Sequence, residues 1–375
     1  RVDLATAGSL WARMGRIQRP LPESLLAGVP QARDDPWAKL MAQSHFSPHD
    51  PDGDYAVTGT WKLAHDRQQL QLLVERGLID AGVFAPVLAE MGRAMRELAG
   101  PEQAMQARER QRQTQYLANP LERTSEFWGF VPIPRGPEYA HLRLAHSRVA
   151  YLRPCPVMEG GAVDLGRDWV RLQAHYLSMP YGVTYMDGFL RPAALEELLA
   201  FAQESTVWHN QKNGYLGAYE RYGFASPLLL QVAEELRQVL PDVIKDHDLI
   251  RAWGYKYVKH NAGIQTHVDD ALVNVNFWLV PDECNLEPGT GGLVVLGFGP
   301  PRSLSYDEAN GRMLNGEFDD LMNSQGVVKT VIPYRQNRVV IFHSRLYHMT
   351  AQFHFKDEYK CHRINFTFLF GRREK

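Results

Sequence analysis

The sequence predicts an α+β fold, with a mainly helical N-terminal region followed by a strand-rich C-terminal half. Between residues 70 and 98, apolar residues recur at three- and four-residue steps, which is the pattern of one face of a helix. From about residue 180 the pattern changes to two amphipathic helices and then short β-rich runs separated by Gly and Pro. Such runs indicate a sandwich or barrel. We expect two regions, 1–175 and 176–375.

The N-terminal region begins irregularly, because Pro, Gly and Asp in 47–54 favour a loop. Two helical segments follow, and the polar stretch 103–115 predicts a solvated helix or a linker. Paired helices are typical of a helical-repeat domain, but no second copy of a 34-residue repeat is found. A plain helical cap on a catalytic core is therefore the favoured interpretation.

The C-terminal region predicts a strand at 181–186 and amphipathic helices at 191–204 and 226–240. Two helices before a strand series would back one face of a sheet. The predicted strands that follow are 250–258, 272–280, 292–296, 338–342, 350–355 and 363–370.

Composition excludes several function classes. The chain has 375 residues, 45% hydrophobic and 22% charged, and its formal charge of −2 gives no bulk reason to expect nucleic acid or an acidic membrane. No apolar stretch reaches the roughly 18 residues of a membrane span. The cysteines Cys155, Cys284 and Cys361 are few, odd in number and widely spaced, which favours reduced thiols in a cytoplasmic protein and no structural zinc site.

A candidate metal site lies at 265–270, at the mouth of a β segment. Residues two apart in a strand project to the same side, so His267 and Asp269 can offer an imidazole nitrogen and a carboxylate oxygen to one ion. With a second histidine they would form the two-histidine, one-carboxylate arrangement of non-haem iron(II) oxygenases. Alone, His-x-Asp is a weak signal, and a surface turn would be the better interpretation.

The downstream sequence supplies the missing groups. Residues 337–348 form a predicted strand and a turn that presents a histidine, His348; His343, on the approaching strand, is the alternative. Fifteen residues after His348, Arg363 opens an apolar strand. A buried arginine needs an anionic partner, and its planar fork matches a carboxylate. The ordered set therefore describes a metal together with an anchored dicarboxylate.

Three blocks of the chain, 257–269, 274–279 with 291–293, and 337–363, resemble the prolyl-hydroxylase-like branch of the 2-oxoglutarate/Fe(II) dioxygenases. The resemblance covers roughly 181–373, and the chain is similar to bacterial oxygenases that carry tetratricopeptide-type helical regions. It implies a double-stranded β-helix, a jelly-roll or cupin-like fold, with backing helices.

The same resemblance implies the roles of the site residues, and it places the second histidine ligand after the turn, at His348 and not at His343. His267, Asp269 and His348 would bind Fe(II) and support catalysis, Arg363 would pair with the distal carboxylate of 2-oxoglutarate, and Tyr257 would contact this co-substrate.

Three further residues share one strand face by alternation and would line the pocket: Asn274, Asn276 and Trp278. Hydrogen bonding at a strand edge is the alternative for the two asparagines, and core packing is the alternative for Trp278. Relatives place a hydroxyl residue two positions after the arginine, whereas this chain has Asn365. The long stretch 306–331 is either a lid or a surface insertion.

The implied activity is hydroxylation of an unactivated C–H bond with O2, coupled to conversion of 2-oxoglutarate to succinate and CO2. The substrate would be a peptide or protein side chain, or a small metabolite. A non-catalytic helical-repeat scaffold with a degenerate oxygenase fold is the competing interpretation. Catalytic zinc is disfavoured, because it would not explain Arg363. The sequence does not predict the oligomeric state.

Overall fold

The computed structural model describes residues 25, 57–116, 130–179, 181–212, 214–257, 264, 266–313 and 327–372. The chain divides into two compact units that interleave along the sequence. The first unit contains Arg1–Pro156, Glu197–Pro227 and Gly254–Lys259, and the second contains Val157–Glu196, Leu228–Trp253 and His260–Lys375. The division into 1–175 and 176–375 stays a prediction.

The first unit contains the predicted N-terminal helices, here α1 (Thr60–Glu75), α2 (Ala81–Tyr116) and α3 (Ala140–Ala145). Strand β1 (Val57–Thr58) pairs antiparallel with β2 (Val131–Pro132). Since α2 continues to Tyr116, the polar stretch 103–115 is helical; the predicted loop at 47–54 lies outside the described residues. The periodic apolar residues form the core of this unit, with Leu63, Leu70, Leu73, Phe84, Val87, Met91 and Ala94 buried.

Four more helices follow along the chain. The first is α4 (Trp169–Ser178), and α5 (Pro192–Glu204) and α6 (Pro227–Val239) confirm the two predicted amphipathic helices to within one residue at each end. The last, α7 (Tyr306–Met313), was not predicted as a helix. It lies inside the 306–331 stretch, of which residues 314–326 are outside the described part.

The second unit is built on antiparallel strands. The order in its larger sheet is β3-β10-β7-β12-β6. These strands are β3 (Val183–Asp187), β6 (Leu249–Tyr257), β7 (Val273–Trp278), β10 (Arg338–His343) and β12 (Ile364–Phe370). Each lies within two residues of a predicted strand at both ends.

A smaller three-stranded sheet in the same unit has the order β11-β8-β9. It contains β8 (Leu293–Leu296), β9 (Lys329–Ile332) and β11 (His348–Thr350). The predicted strand at 350–355 is wrong beyond Thr350. There the carbonyls of Gln352 and His354 accept hydrogen bonds from loop residues, and Phe355 makes a single bridge to Asn285.

The first unit also contains a hairpin of β4 (Asn210–Lys212) and β5 (Tyr215–Tyr219), which was not predicted. The hairpin continues the strand order as β6-β5-β4, and the last residues of β6, from Gly254 on, belong to the first unit.

The two faces of β7 differ in chemistry, and this difference positions the candidate site. Phe277 packs edge-on against Phe366 and Phe368 of β12, at centroid distances of 5.7 and 5.4 Å, so one face belongs to the aromatic core. The other face carries Asn274, Asn276 and Trp278, as the alternation predicted.

One covalent feature corrects the sequence analysis. Cys284 and Cys361 form a disulfide, so the expectation of reduced thiols is wrong for this pair, while Cys155 is free and buried. Among the helices that the structure describes, none combines the length and the apolar composition needed to cross a membrane.

Candidate metal centre

Backbone pairing brings the three predicted ligands together. His267 and His348 form an antiparallel bridge, in which the N–H of each donates to the carbonyl of the other at 3.0 and 2.9 Å. Two residues on, the N–H of Asp269 donates to the carbonyl of Ser344 at 3.1 Å. The 267–269 segment is therefore held extended against residues 344–348, and the side chains of positions 267 and 269 share one side.

The ligand atoms converge on one point. One nitrogen from each histidine and one oxygen of Asp269 all lie within 4.8 Å of one another. Nε2 of His348 is 3.3 Å from Oδ2 of Asp269, and Nε2 of His267 is 3.9 Å from Oδ1. Asp269 and His348 are buried, and His267 is partly exposed. Within the described residues, this is the only group of three or more His, Cys, Asp or Glu side chains with metal-binding geometry.

The tautomer of His348 follows from its second nitrogen. Nδ1 lies 3.0 Å from the carbonyl oxygen of Leu346. A carbonyl can only accept, so Nδ1 donates to it, and Nε2 is the nitrogen of His348 that faces the group. Metal-binding histidines are commonly oriented by such a backbone carbonyl.

Asp269 is oriented by a short chain of side chains. The amide of Asn274 donates to Oδ2 of Asp269 at 2.5 Å, and its oxygen accepts from the hydroxyl of Ser344 at 2.7 Å. Asn274 is fully buried, so this arrangement fixes both ends of its amide. Asn274 thus contacts a predicted ligand, and its contact with the co-substrate stays a prediction.

The carboxyl group of Asp269 is strongly acidic. Burial raises its pKa, but hydrogen bonding to His348, the charges of the two histidines and the Asn274 amide outweigh burial. The net result lowers the pKa of Asp269 from 3.8 to about 2. The group therefore offers an ionised carboxylate at any physiological pH.

His343, the competing histidine, lies outside this group. Its Nδ1 accepts a hydrogen bond from the backbone N–H of Arg345 at 3.2 Å. Burial lowers the pKa of His343, and the charges of Arg345 and Arg302 lower it further. The structure therefore brings His348, and not His343, to the two residues of the His-x-Asp motif.

Arg363 is buried in the same unit, with 1% exposure. Its Nε donates to the carbonyl of Gly291 at 2.7 Å. Its guanidinium carbon lies 5.6 to 5.8 Å from the ring centres of Trp278, Tyr334 and Phe353. Three aromatic faces and a carbonyl thus hold the planar group in one orientation. Trp278 is one wall of this aromatic box and is fully buried.

Asn276 belongs to a polar network between β7 and β12. Its side-chain oxygen accepts from the hydroxyl of Thr367 and from the amide of Asn365, at 3.3 Å for the amide. Thr367 pairs directly with Asn276 across the two strands.

Tyr257 belongs to the first unit. It is buried at the end of β6, and its ring stacks on that of Tyr215 at a centroid distance of 5.2 Å. Its role as a co-substrate contact stays a prediction.

No family model and no curated protein matches the chain. Among solved structures it is similar to the epimerase SnoN in complex with Fe3+, alpha ketoglutarate and nogalamycin RO, at 14% identity and a TM-score of 0.40, over 54% of this chain and 83% of that chain. HygX from Streptomyces hygroscopicus, with nickel, 2-oxoglutarate and hygromycin B bound, gives 14% identity, a TM-score of 0.38 and coverage of 54% and 86%.

A Pseudomonas putida prolyl-4-hydroxylase gives 14% identity, a TM-score of 0.36 and coverage of 58% and 98%. Since these identities and TM-scores are low, we base the functional proposal on the chain's own residues.

Proposed function

We propose that the chain is a 2-oxoglutarate- and Fe(II)-dependent oxygenase whose ion is bound by His267, Asp269 and His348. The observation that carries this proposal is the convergence of two imidazole nitrogens and one ionised carboxylate within 4.8 Å. Two histidines and one carboxylate on one side of an ion are the ligand set of non-haem iron(II) oxygenases.

The ligand set fits ferrous iron better than structural zinc. Structural zinc sites are closed by four ligands and are commonly rich in thiolates. Within the described residues the group has three members and contains no cysteine. Three protein ligands leave positions for a bidentate co-substrate and for O2.

Arg363 supports 2-oxoglutarate as that co-substrate. Its guanidinium is buried and pre-oriented by three rings and by the Gly291 carbonyl. A guanidinium held in this way presents a planar fork that matches a carboxylate bidentately. We assign it the distal carboxylate, with Tyr257, Asn276 and Trp278 as further contacts; Thr367 supports Asn276.

When bound, iron supplies the oxidative decarboxylation of 2-oxoglutarate to succinate and CO2, coupled to oxidation of a substrate C–H bond. The residues of the chain hold and orient the reactants. Leu346 orients His348, Asn274 orients Asp269, and the aromatic box holds Arg363. These supports cost no reorganisation during the reaction, because they are formed before substrate binds.

The finer assignments are part of this proposal. The two antiparallel sheets of the second unit would form a double-stranded β-helix, with 176–375 as the catalytic region and 1–175 as the preceding, mainly helical region. Hydroxylation is the proposed outcome, on a peptide or protein side chain or a small metabolite.

The test is iron-dependent formation of succinate from 2-oxoglutarate by the purified chain. We expect succinate formation by the wild type, none above background for Asp269→Ala, and near wild-type formation for His343→Ala, whose imidazole lies outside the ligand group. Equal succinate formation by the wild type and Asp269→Ala would overturn the ligand assignment. An inactive chain that binds neither iron nor 2-oxoglutarate would favour the non-catalytic scaffold.

A further inference from the structure

Helix α7 begins with a set of reciprocal hydrogen bonds between Ser305 and Glu308. The N–H of Glu308 donates to the Ser305 hydroxyl at 3.2 Å, and the N–H and hydroxyl of Ser305 both donate to the Glu308 carboxylate at 2.8 Å. This reciprocal arrangement is a capping box, which satisfies backbone N–H groups at the first turn. The start of the 306–331 stretch is therefore a defined helix.

The buried side of α7 packs on the metal-binding motif. Ala309 is fully buried in an apolar cluster with Val268, Leu296 and Tyr347. Val268 is the residue between His267 and Asp269, so the helix contacts the centre of the motif.

A pair of hydrogen bonds joins the same two segments. The N–H of Val268 donates to Oδ1 of Asn310 at 2.9 Å, and Nδ2 of Asn310 donates to the Val268 carbonyl at 3.2 Å. One amide side chain thus binds both peptide groups that link Val268 to its neighbours.

The two sides of the motif are held by different partners. In an extended segment, backbone polar groups of successive residues point to opposite sides. The backbone N–H and C=O of His267 and the N–H of Asp269 bond to residues 344–348. The backbone N–H and C=O of Val268 bond instead to the side chain of Asn310. Removing Asn310 would leave the second side of the motif without this support.

We propose that Asn310 is a positioning residue for the metal ligands and that α7 is a fixed part of the metal centre. The proposal rests on the proposed function. Asn310 acts through the peptide groups on either side of Val268, which set the directions of the His267 and Asp269 side chains.

Asn337 provides a matched control. Its side chain makes the same pair of bonds with Leu190, accepting from the N–H and donating to the carbonyl, both at 2.8 Å. Asn337→Ala therefore removes the same two interactions in the same unit, but away from the ligand motif; since φ of Asn337 is 59°, alanine also adds backbone strain there, which adds to the loss of stability.

The experiment measures metal affinity by calorimetric titration of the metal-free protein with Co(II), the visible spectrum of the Co(II) protein, and stability in urea. We expect Asn310→Ala to weaken Co(II) binding about tenfold, within the 10- to 100-fold range typical of groups that orient ligands, and to change the spectrum. Asn337→Ala should lose stability in urea, while its Co(II) affinity and the spectrum of its Co(II) form stay as in the wild type. Asn310→Ser is the second variant if the alanine variant does not fold, with the same expectation.

Two outcomes overturn the inference. The first is Co(II) affinity and spectrum unchanged in the Asn310 variant, and the second is an equal loss of affinity in the Asn310 and Asn337 variants. Asp269→Ala separates this failure from failure of the proposed function. If Asp269→Ala loses Co(II) binding while the Asn310 variant keeps it, only the positioning role is wrong. If Asp269→Ala also keeps it, the metal centre itself is wrong.

Discussion

Each of the two units contains a largely buried group of histidine and aspartate side chains, and the two groups differ in the charges around them. In the second unit, His267, Asp269 and His348 converge within 4.8 Å. The first unit contains what we call the lysine–histidine cluster, composed of Lys62, His65, Asp66, His209 and Lys256.

In the lysine–histidine cluster the carboxylate is already paired. The ammonium of Lys62 contacts one oxygen of Asp66, and Nδ1 of His65 lies 3.0 Å from the other. Burial lowers the pKa of His65 well below 6.5, and the charges of Lys256 and Lys62 lower it further. The Lys62 ammonium already compensates the charge of Asp66, and burial lowers the pKa of Lys256 well below 10.5, so the cluster offers a metal ion neutral imidazoles but no uncompensated carboxylate.

In the metal centre the carboxylate has no lysine partner among the groups that set its pKa. The pKa that is lowered belongs to the carboxylate, and the charges acting on Asp269 come from the two histidines, which release their protons when they bind an ion. The comparison teaches that residue types do not define a metal site. The direction of the lone pairs and the sign of the nearest fixed charge decide whether a cation is attracted.

The largest expected effect is on Co(II) affinity, which should fall when a residue of the metal centre is replaced but not when a residue of the lysine–histidine cluster is replaced. Asp269→Ala should weaken binding of Co(II) by more than about 100-fold, because removal of a direct ligand exceeds the loss seen for orienting groups. His65→Gln should leave Co(II) binding unchanged and reduce stability instead. Calorimetric titration of both variants checks this, and comparable losses of Co(II) affinity would remove the distinction between the groups.

The two units also differ in their buried cations, which gives the second prediction. Arg363 lies between three aromatic rings, whereas Nζ of Lys256 lies 5.6 Å from the ring centre of Trp208, and burial lowers the pKa of Lys256 well below 10.5. Arg363→Lys should raise the 2-oxoglutarate concentration needed for half-maximal succinate formation by roughly 10- to 100-fold, through loss of a bidentate contact.

The control for this second prediction is Lys256→Met, which should leave the 2-oxoglutarate requirement unchanged. Metal affinity should stay at the wild-type level in both variants. If Arg363→Lys weakened metal binding as much as 2-oxoglutarate binding, Arg363 would not be a carboxylate anchor.

The smallest expected effect concerns pH. The pKa values of His65 and His209 are held well below 6.5, chiefly by burial, so both are neutral in the folded chain. Below pH 6.5 the unfolded chain takes up protons that these two folded histidines do not, and stability falls as the pH falls. His65→Gln removes one such group. Between pH 6.5 and 5, the free energy of unfolding of this variant should therefore fall by about 1 kcal/mol less than that of the wild type.

Urea unfolding in the presence of a chelator, at several pH values, measures this effect. An identical slope for the wild type and His65→Gln would show that His65 is not held neutral in the folded state.

The features that the sequence predicted well depend on local pattern. The spacing of His267 and Asp269 indicated one ligand pair, and a charged residue at the head of an apolar strand indicated that Arg363 would be buried. Helices α5 and α6 and the strands of the larger sheet could be placed because each carries its own periodicity.

The features that were missed depend on contacts between distant parts of the chain. Asn310 and Val268 are 42 residues apart, and Cys284 and Cys361 are 77 apart, so neither pairing can be read from spacing. The capping box of Ser305 and Glu308 was a readable signal for α7. The strand predicted at 350–355 failed because its apolar residues alternate as in a strand, while the backbone there bonds to loops.

The central claim is that His348, with the His-x-Asp pair, binds the ion that 2-oxoglutarate requires. The most direct test is anaerobic calorimetric titration with Fe(II), and then with 2-oxoglutarate, of the wild type, His348→Ala and His343→Ala. We predict one equivalent of Fe(II) in the wild type and in His343→Ala, with 2-oxoglutarate binding dependent on the metal, and weak or undetectable Fe(II) binding in His348→Ala. Wild-type Fe(II) affinity in His348→Ala, or its loss in His343→Ala, would contradict the account.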